Sequence, residues 1–336
     1  MAKDPHSIAE LKSFRIMKLY NSPNDKGIAF VKVKSLDEEL CKNLQKVRSK
    51  YFIATAECYY NSDADIANIV KYDRYFDFHI VSCDRIGKVI TRSCPRSKYF
   101  IMGAGEFMTN PDLFKMNNVG NRKIDFIASA NSFWGIKNFH KILEMQKYLM
   151  DHGVKTQSRI ICGSIKDRDH YDFCDKFIEK HLPSNARIII GLPIDQIVEY
   201  YNKSKFLVHF SSMDSSPRVV FESLLCGCHC LLAGAWTESL NKWLDSPLIH
   251  VIKEDDYSEV KEILLNSKPD RKLVKKYNRN IGLMNLSPSF ISFVREHLQP
   301  TMTENGVMGQ SVVGKITFKD RDAEYEIEIN KLRRLL

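Results

Sequence analysis

Two carboxylates, Asp214 and Glu222, stand with seven residues between them in the stretch SSMDSSPRVVFESLLCGCHCLL. The stretch is entered from an apolar run, Phe206 to Phe210, that stops at Ser211 and Ser212, which is the pattern of a buried strand ending in a polar loop. Ser216 suits a helix N-cap, Pro217 the first helical position and Gly227 the residue just past the end, so a short helix is predicted over Pro217 to Cys226. At helical spacing Val220, Phe221, Leu224 and Leu225 share one face, while Arg218 and Glu222 lie one turn apart on another. Glu222 is therefore expected to point away from the core, and a surface ion pair with Arg218 is the bland reading of it. A second apolar strand, Cys228 to Ala233, follows at once. The chemistry such a unit offers is electrostatic. A helix start presents unpaired N–H groups and a positive dipole end to an anion, and carboxylates accept hydrogen bonds from hydroxyls.

The rest of the chain must supply the sheet that holds this unit. At 336 residues two domains are expected, with 44% hydrophobic and 27% charged residues arguing against disorder. No apolar stretch is long enough to span a membrane, residues 1 to 20 lack the apolar segment of a signal peptide, and nine cysteines at irregular spacing read as reduced thiols; a cytoplasmic protein is therefore expected. The net charge of +9 favours anionic partners. Strands are predicted at Phe14 to Tyr20, Ile28 to Val33, Tyr51 to Tyr60, Phe76 to Ser82 and Tyr99 to Met102, with helices at Leu36 to Val47 and Asp84 to Arg92. Further on, strands at Lys123 to Ala130, Arg159 to Gly163 and Arg187 to Ile190 alternate with helices at Phe139 to Leu149, Tyr171 to Lys180 and Gln196 to Tyr201, the signature of a doubly wound parallel sheet. Helical patterns recur at residues 257 to 267 and 270 to 298, and Val312 to Phe318 with Ala323 to Ile329 reads as a hairpin.

The order strand, serine, acid, short helix with a second acid, Cys-Gly and strand resembles the E-x7-E segment of GT-B fold nucleotide-sugar glycosyltransferases of the retaining, group 1 or family 4-like type. Asp214 stands where the family usually has Glu, and Ser215 and Ser216 replace its Gly-Phe. Lys137, in Ile-Lys-Asn-Phe, matches the family's diphosphate lysine; its companion arginine is absent near Asn131, and Arg218 is the expected substitute. Gly191 and Leu192 match the backbone that meets the nucleobase, and GAGEFMTNPDLFK is similar to the passage between domains.

The resemblance implies an α/β protein of two Rossmann-like domains, a shortened N-terminal acceptor-side domain over 1–118 and a donor domain over 119–300; the pattern after them adds a linker with a β-hairpin appendage over 301–336. A late helix, Ser287 to Leu298, is expected to cross back to the first domain. The implied reaction moves a sugar from a nucleotide diphosphate, a co-substrate and not a cofactor, to an acceptor hydroxyl with retention of configuration. Asp214, Glu222 and Lys137 are the implied catalytic residues: Asp214 for the sugar, Glu222 for the ribose, Lys137 for the diphosphate. Lys137, Gly191, Leu192, Ser212, Ser215, Ser216, Arg218, Val219 and Glu222 are the implied donor contacts. The expected acceptor is large, a glycan or lipid-linked saccharide, with nucleic acid as the alternative, and no obligate protein partner is implied. The basic tail, Lys331 to Leu336, adds the expectation of a peripheral membrane contact.

Other chemistry-bearing groups read as structural. Asp-x-Asp occurs at Asp63/Asp65, Asp167/Asp169 and Asp320/Asp322, a repetition that points to chance, and no metal is expected. CGCHC, Cys226 to Cys230, lacks the second ligand pair of a zinc site and reads as buried thiols. His79 reads as a core or edge histidine, and Glu57 as a half-exposed carboxylate. Two rival functions stand beside the leading one: a DNA-modifying glycosyltransferase, suggested by the charge, and a catalytically inactive nucleotide-sugar-binding module of the same fold.

Overall fold

The computed structural model describes residues 14–17, 27–33, 36–46, 48, 51–56, 63–103, 105, 109–111, 113–117, 122–212, 214, 217–234, 238–241, 243–253, 256–268, 270–278 and 288–298. The expected hairpin, its linker and tail, Glu57, Ser215, Ser216 and Asp320/Asp322 lie outside them. Two compact units divide the chain: Met1–Phe107 together with Gly282–Leu336, and Met108–Ile281.

The first unit is built on a five-stranded sheet of β1 (Phe14–Met17), β2 (Gly27–Lys32), β3 (Tyr51–Ala56), β4 (Phe78–Val81) and β5 (Tyr99–Ile101), ordered as they occur in the chain. β1 pairs antiparallel to β2 and the others are parallel. Helices α1 (Glu38–Gln45), α2 (Asp63–Tyr72) and α3 (Asp84–Ser93) make the crossovers. Successive right-handed crossovers that all step the same way put their helices on one face. Accordingly Leu40, Leu44, Ile69, Ile86 and Ile90 share a single cluster with Ile53 and Val81. On that face His79 is buried, its Nδ1 2.9 Å from Thr55 Oγ1 and its Nε2 2.8 Å from Asp73. The other face is covered from the far end of the chain. Phe290 and Phe293 of a late helix, Pro288–His297, pack their rings against Phe78 and Phe100 at centroid distances of 5.0 to 6.2 Å.

The second unit holds six parallel strands. They are β6 (Ile124–Phe133), β7 (Ser158–Ile165), β8 (Ala186–Ile190), β9 (Ser204–His209), β10 (His229–Leu232) and β11 (Ile249–Val251). Their spatial order is β11-β10-β9-β6-β7-β8, so the winding starts at β6, runs outward to β8, and then reverses through β9 to β11. This is the doubly wound arrangement, with its switch point between β6 and β9. Both faces are covered, which is why the strands read as nearly unbroken apolar runs. Helices α4 (Phe139–Asp151) and α5 (Arg168–His181) bury Phe139, Ile142, Leu143, Cys174 and Ile178 against Phe126, Ile160 and Phe206. Helices α6 (Ile194–Lys203) and α7 (Arg218–Leu225) bury Val198, Tyr201, Val220, Phe221 and Leu224 against Ile127, Ile161 and Leu207. Short helices α8 (Glu238–Asn241), α9 (Val260–Asn266) and α10 (Arg271–Asn278) follow, and the helix Pro288–His297 of the first unit is α11. Among the described residues no helix is long and apolar enough to cross a membrane.

Candidate functional site

Ligands of doubly wound sheets bind beyond the carboxyl ends of the strands at the switch point, and that is where Lys137, Ser212 and Asp214 meet. The loop after β6 makes a single 3-10 turn, Gly135–Lys137, and then sets Asn138 in the left-handed region at φ 49° before α4 begins. The loop after β9 is stitched to it. Ser212 N–H donates to the Ile136 carbonyl at 3.0 Å, the Ser211 hydroxyl donates to the same oxygen at 3.1 Å, and the Asn138 amide donates to the Phe210 carbonyl at 2.7 Å. A third loop closes in behind: Gly234, after β10, has φ +102° and no room for a side chain, because a Cβ there would lie 2.1 Å from the Ser211 carbonyl oxygen.

Across these stitched loops Lys137 Nζ donates to Asp214 Oδ2 at 2.7 Å. Both side chains are about four-fifths buried, at 20% and 19% exposure. His209, the last residue of β9, brings its Nε2 to 3.6 Å from the same oxygen. It is buried, and burial holds its pKa down at about 4, Asp214 pulling upward and Lys137 pushing further down. Its imidazole is thus neutral near pH 7. Nothing local marked this histidine, since a lone His in an apolar strand reads as core; its proximity in sequence to Asp214 was the one available signal.

Helix α7 carries the second acid. Gly227 at φ +81° ends it, with Gly227 N–H bonded to the Leu224 carbonyl and Cys228 N–H to that of Ser223, a Schellman closure. The buried Arg122 guanidinium reaches the carbonyls of Ser204 at 2.5 Å, Cys226 at 2.7 Å and Tyr201 at 3.2 Å, tying the ends of α6 and α7 together. Contrary to the expectation that it points away from the core, Glu222 is buried. The helical wheel placed it off the Val220–Phe221–Leu224 stripe, but Tyr201 of α6 stands beside it on that side. Burial raises its pKa, against the charge and hydrogen bond of Arg218 and, more weakly, the Tyr201 hydroxyl. The expected Arg218–Glu222 pair is present at 2.9 Å. Arg218, expected from the sequence to replace a diphosphate-clamping arginine, meets Glu222 through its Nε.

Of the remaining predicted contacts, Val219 is partly buried against the α7 core cluster, as is Leu192, and Gly191 stands exposed after β8 at φ +79°. Ser212 is exposed and its hydroxyl turns to the Ile136 carbonyl. Cys226, Cys228 and Cys230 are buried, and burial pushes all three thiols up, Cys228 to about 11. Asp63 and Asp65 lie in α2, and Asp167 caps α5 by accepting from His170 N–H. Among the described residues no group of three His, Cys, Asp or Glu side chains is placed to hold a metal ion.

No family model matches the chain, and no curated relative matches it in sequence. Similar solved structures include Anabaena Alr3699/HepE in complex with UDP and glucose, at 10% identity over 80% of this chain and 78% of that one, with a TM-score of 0.53. They also include sucrose-phosphate synthase (tll1590) from Thermosynechococcus elongatus, at 11% identity over 80% and 72%, again with a TM-score of 0.53. The chain has the GT-B fold of glycosyltransferases, with Rossmann-like α/β units.

Proposed function

We propose that the chain is a nucleotide-sugar-dependent glycosyltransferase whose donor binds at the switch point of the second unit. The observation that carries this reading is the convergence of Lys137 and Asp214 at 2.7 Å from loops after β6 and β9. They meet at the ligand-binding end of a sheet whose fold is that of HepE, a protein solved with UDP and UDP-glucose. In this reading Lys137 and the N–H groups at the start of α7 neutralise the charge that builds on the departing diphosphate. Asp214 accepts hydrogen bonds from sugar hydroxyls and faces the positive charge developing at the anomeric carbon. Glu222 accepts from the ribose hydroxyls, with Gly191 and Leu192 beside the base. Ser215, Ser216, Ser212, Arg218 and Val219 complete the donor's surroundings. The anomeric C–O bond to the diphosphate breaks, the acceptor oxygen forms the new bond on the same face, and the acceptor's proton leaves with the diphosphate, giving retention. A large acceptor, a glycan or lipid-linked saccharide, suits the basic surface.

A thermal-shift screen against UDP, GDP, ADP and their sugars tests the reading, because a ligand that binds only the native state raises apparent stability. Stabilisation by a nucleotide sugar supports it, and a flat response to all of them refutes it. One observation favours a second reading, a binding module without turnover: among the described residues the sheet of the first unit winds in one direction only, with no reversal and hence no switch-point crevice of its own. Donor binding with neither transfer nor donor hydrolysis would select that reading.

A further inference from the structure

His209 closes β9 at the switch point with its side chain 7% exposed, and among the described residues its Nε2 has no hydrogen-bond partner. Buried ring nitrogens are rarely left unpaired. Asp214 Oδ2, the oxygen that Lys137 holds at 2.7 Å, lies 3.6 Å from His209 Nε2. The two functions assigned to this ion pair conflict in that geometry. For Lys137 to meet a diphosphate it must turn from Asp214, and a carboxylate that is four-fifths buried would then lose the group that neutralises it.

We propose that His209 is a positioning residue that takes over the Asp214 carboxylate as an Nε2–H donor when Lys137 turns to the diphosphate. The proposal rests on the donor-site reading above. A shift of roughly half an ångström brings the 3.6 Å contact within hydrogen-bond range. A neutral imidazole suits the task better than a charged one. It offers the carboxylate a hydrogen bond without cancelling its charge, so Asp214 still faces the sugar as an anion, and it does not repel Lys137 in the empty site. Leucine in its place would offer nothing, and the ion pair would stay shut.

A double-mutant cycle tests this, with UDP, GDP and ADP titrated calorimetrically as probes. His209→Leu is expected to weaken the best-bound nucleotide at least fivefold when Asp214 is present, and by less than twofold in an Asp214→Asn background, where Lys137 has no carboxylate to leave. His209→Gln, which keeps a side-chain N–H, is expected to recover most of the affinity. Equal losses in both backgrounds would mean that His209 only packs the strand end, and no loss in either would remove the role; both overturn the proposal. Nitrogen-15 shifts of His209 in the wild-type protein give an independent readout, expected to show the proton on Nε2 before and after nucleotide is added. A proton on Nδ1 in both states would overturn the proposal even if nucleotide binds normally. If none of the three nucleotides binds the wild type, the donor-site reading fails, and this proposal falls with it.

Discussion

The Arg218–Glu222 ion pair has one end in water and the other in the core: at 2.9 Å separation the arginine is 45% exposed and the glutamate 8%. Burial raises the Glu222 pKa in spite of the pair. The folded state therefore binds a proton more readily than the unfolded state at this position, and the charged carboxylate lowers stability increasingly as pH rises through its folded pKa. Glu222→Gln should thus leave the melting temperature at pH 7 unchanged or higher, with the difference vanishing below the unfolded value of 4.5. Nucleotide-sugar affinity should fall, because Gln loses the charge and part of the acceptor capacity. Melting curves at pH 4 and pH 7 beside calorimetry check the two halves, and full affinity in the variant would reduce Glu222 to a partner of Arg218.

Lys137→Ala removes the cation proposed for the diphosphate. A charge-assisted contact is worth about 1.5–3 kcal/mol, so nucleoside-diphosphate affinity should drop by roughly 10- to 150-fold. Circular dichroism should stay unchanged, and unaltered affinity would remove the lysine from the site.

Acid should loosen the second unit before it approaches the carboxylate range. His209 and His250 are both held down at about 4 from 6.5, His209 by burial and His250 by burial and its neighbour His229. The unfolded chain takes up protons at these positions below pH 6.5 while the folded chain does not, so their contribution is complete above that pH and is lost as pH falls toward 4. For the fully buried His209 the loss approaches about 3 kcal/mol. Urea midpoints from pH 7 to 4 should decline across this window, and His250→Gln should make the decline shallower.

At Gly234 an alanine meets both a φ of +102° and the Ser211 carbonyl 2.1 Å away. Gly234→Ala should cost about 2–4 kcal/mol and weaken nucleotide binding more than a surface control of equal stability, because Ser211 is part of the stitch that holds the Lys137 loop.

Phe290→Ala should destabilise the first unit by about 3–5 kcal/mol, since its ring is fully buried against Phe78 and Phe100. Hydrogen exchange should report the loss in β4 and β5 and leave β6 to β9 unaffected.

What local chemistry encodes was legible in the sequence. Ser-Pro before a short apolar-faced stretch, and Gly227 after it, marked α7 to within a residue at each end, and the unbroken apolar runs marked β6 to β9. The positions of Lys137 and Asp214 followed from their loops, each defined by the strand before and the helix after. Features that depend on distant packing were not legible. Glu222 is buried beside Tyr201 of another helix, and no spacing within α7 shows that. β11, only three residues long, carries too little pattern to read. His209 acquires its meaning from a lysine on another loop, and Arg122 from carbonyls at the ends of two helices.

The return of α11 to the first sheet has a consequence for synthesis. A growing chain usually folds its domains in the order in which they leave the ribosome. Here the strands made first cannot cover Phe78 and Phe100 until residue 290 has emerged, whereas the unit from 108 to 281 already has all its strands. The half translated second should thus mature first, and the nascent first half must wait with an apolar face open, dependent on a chaperone or on speed.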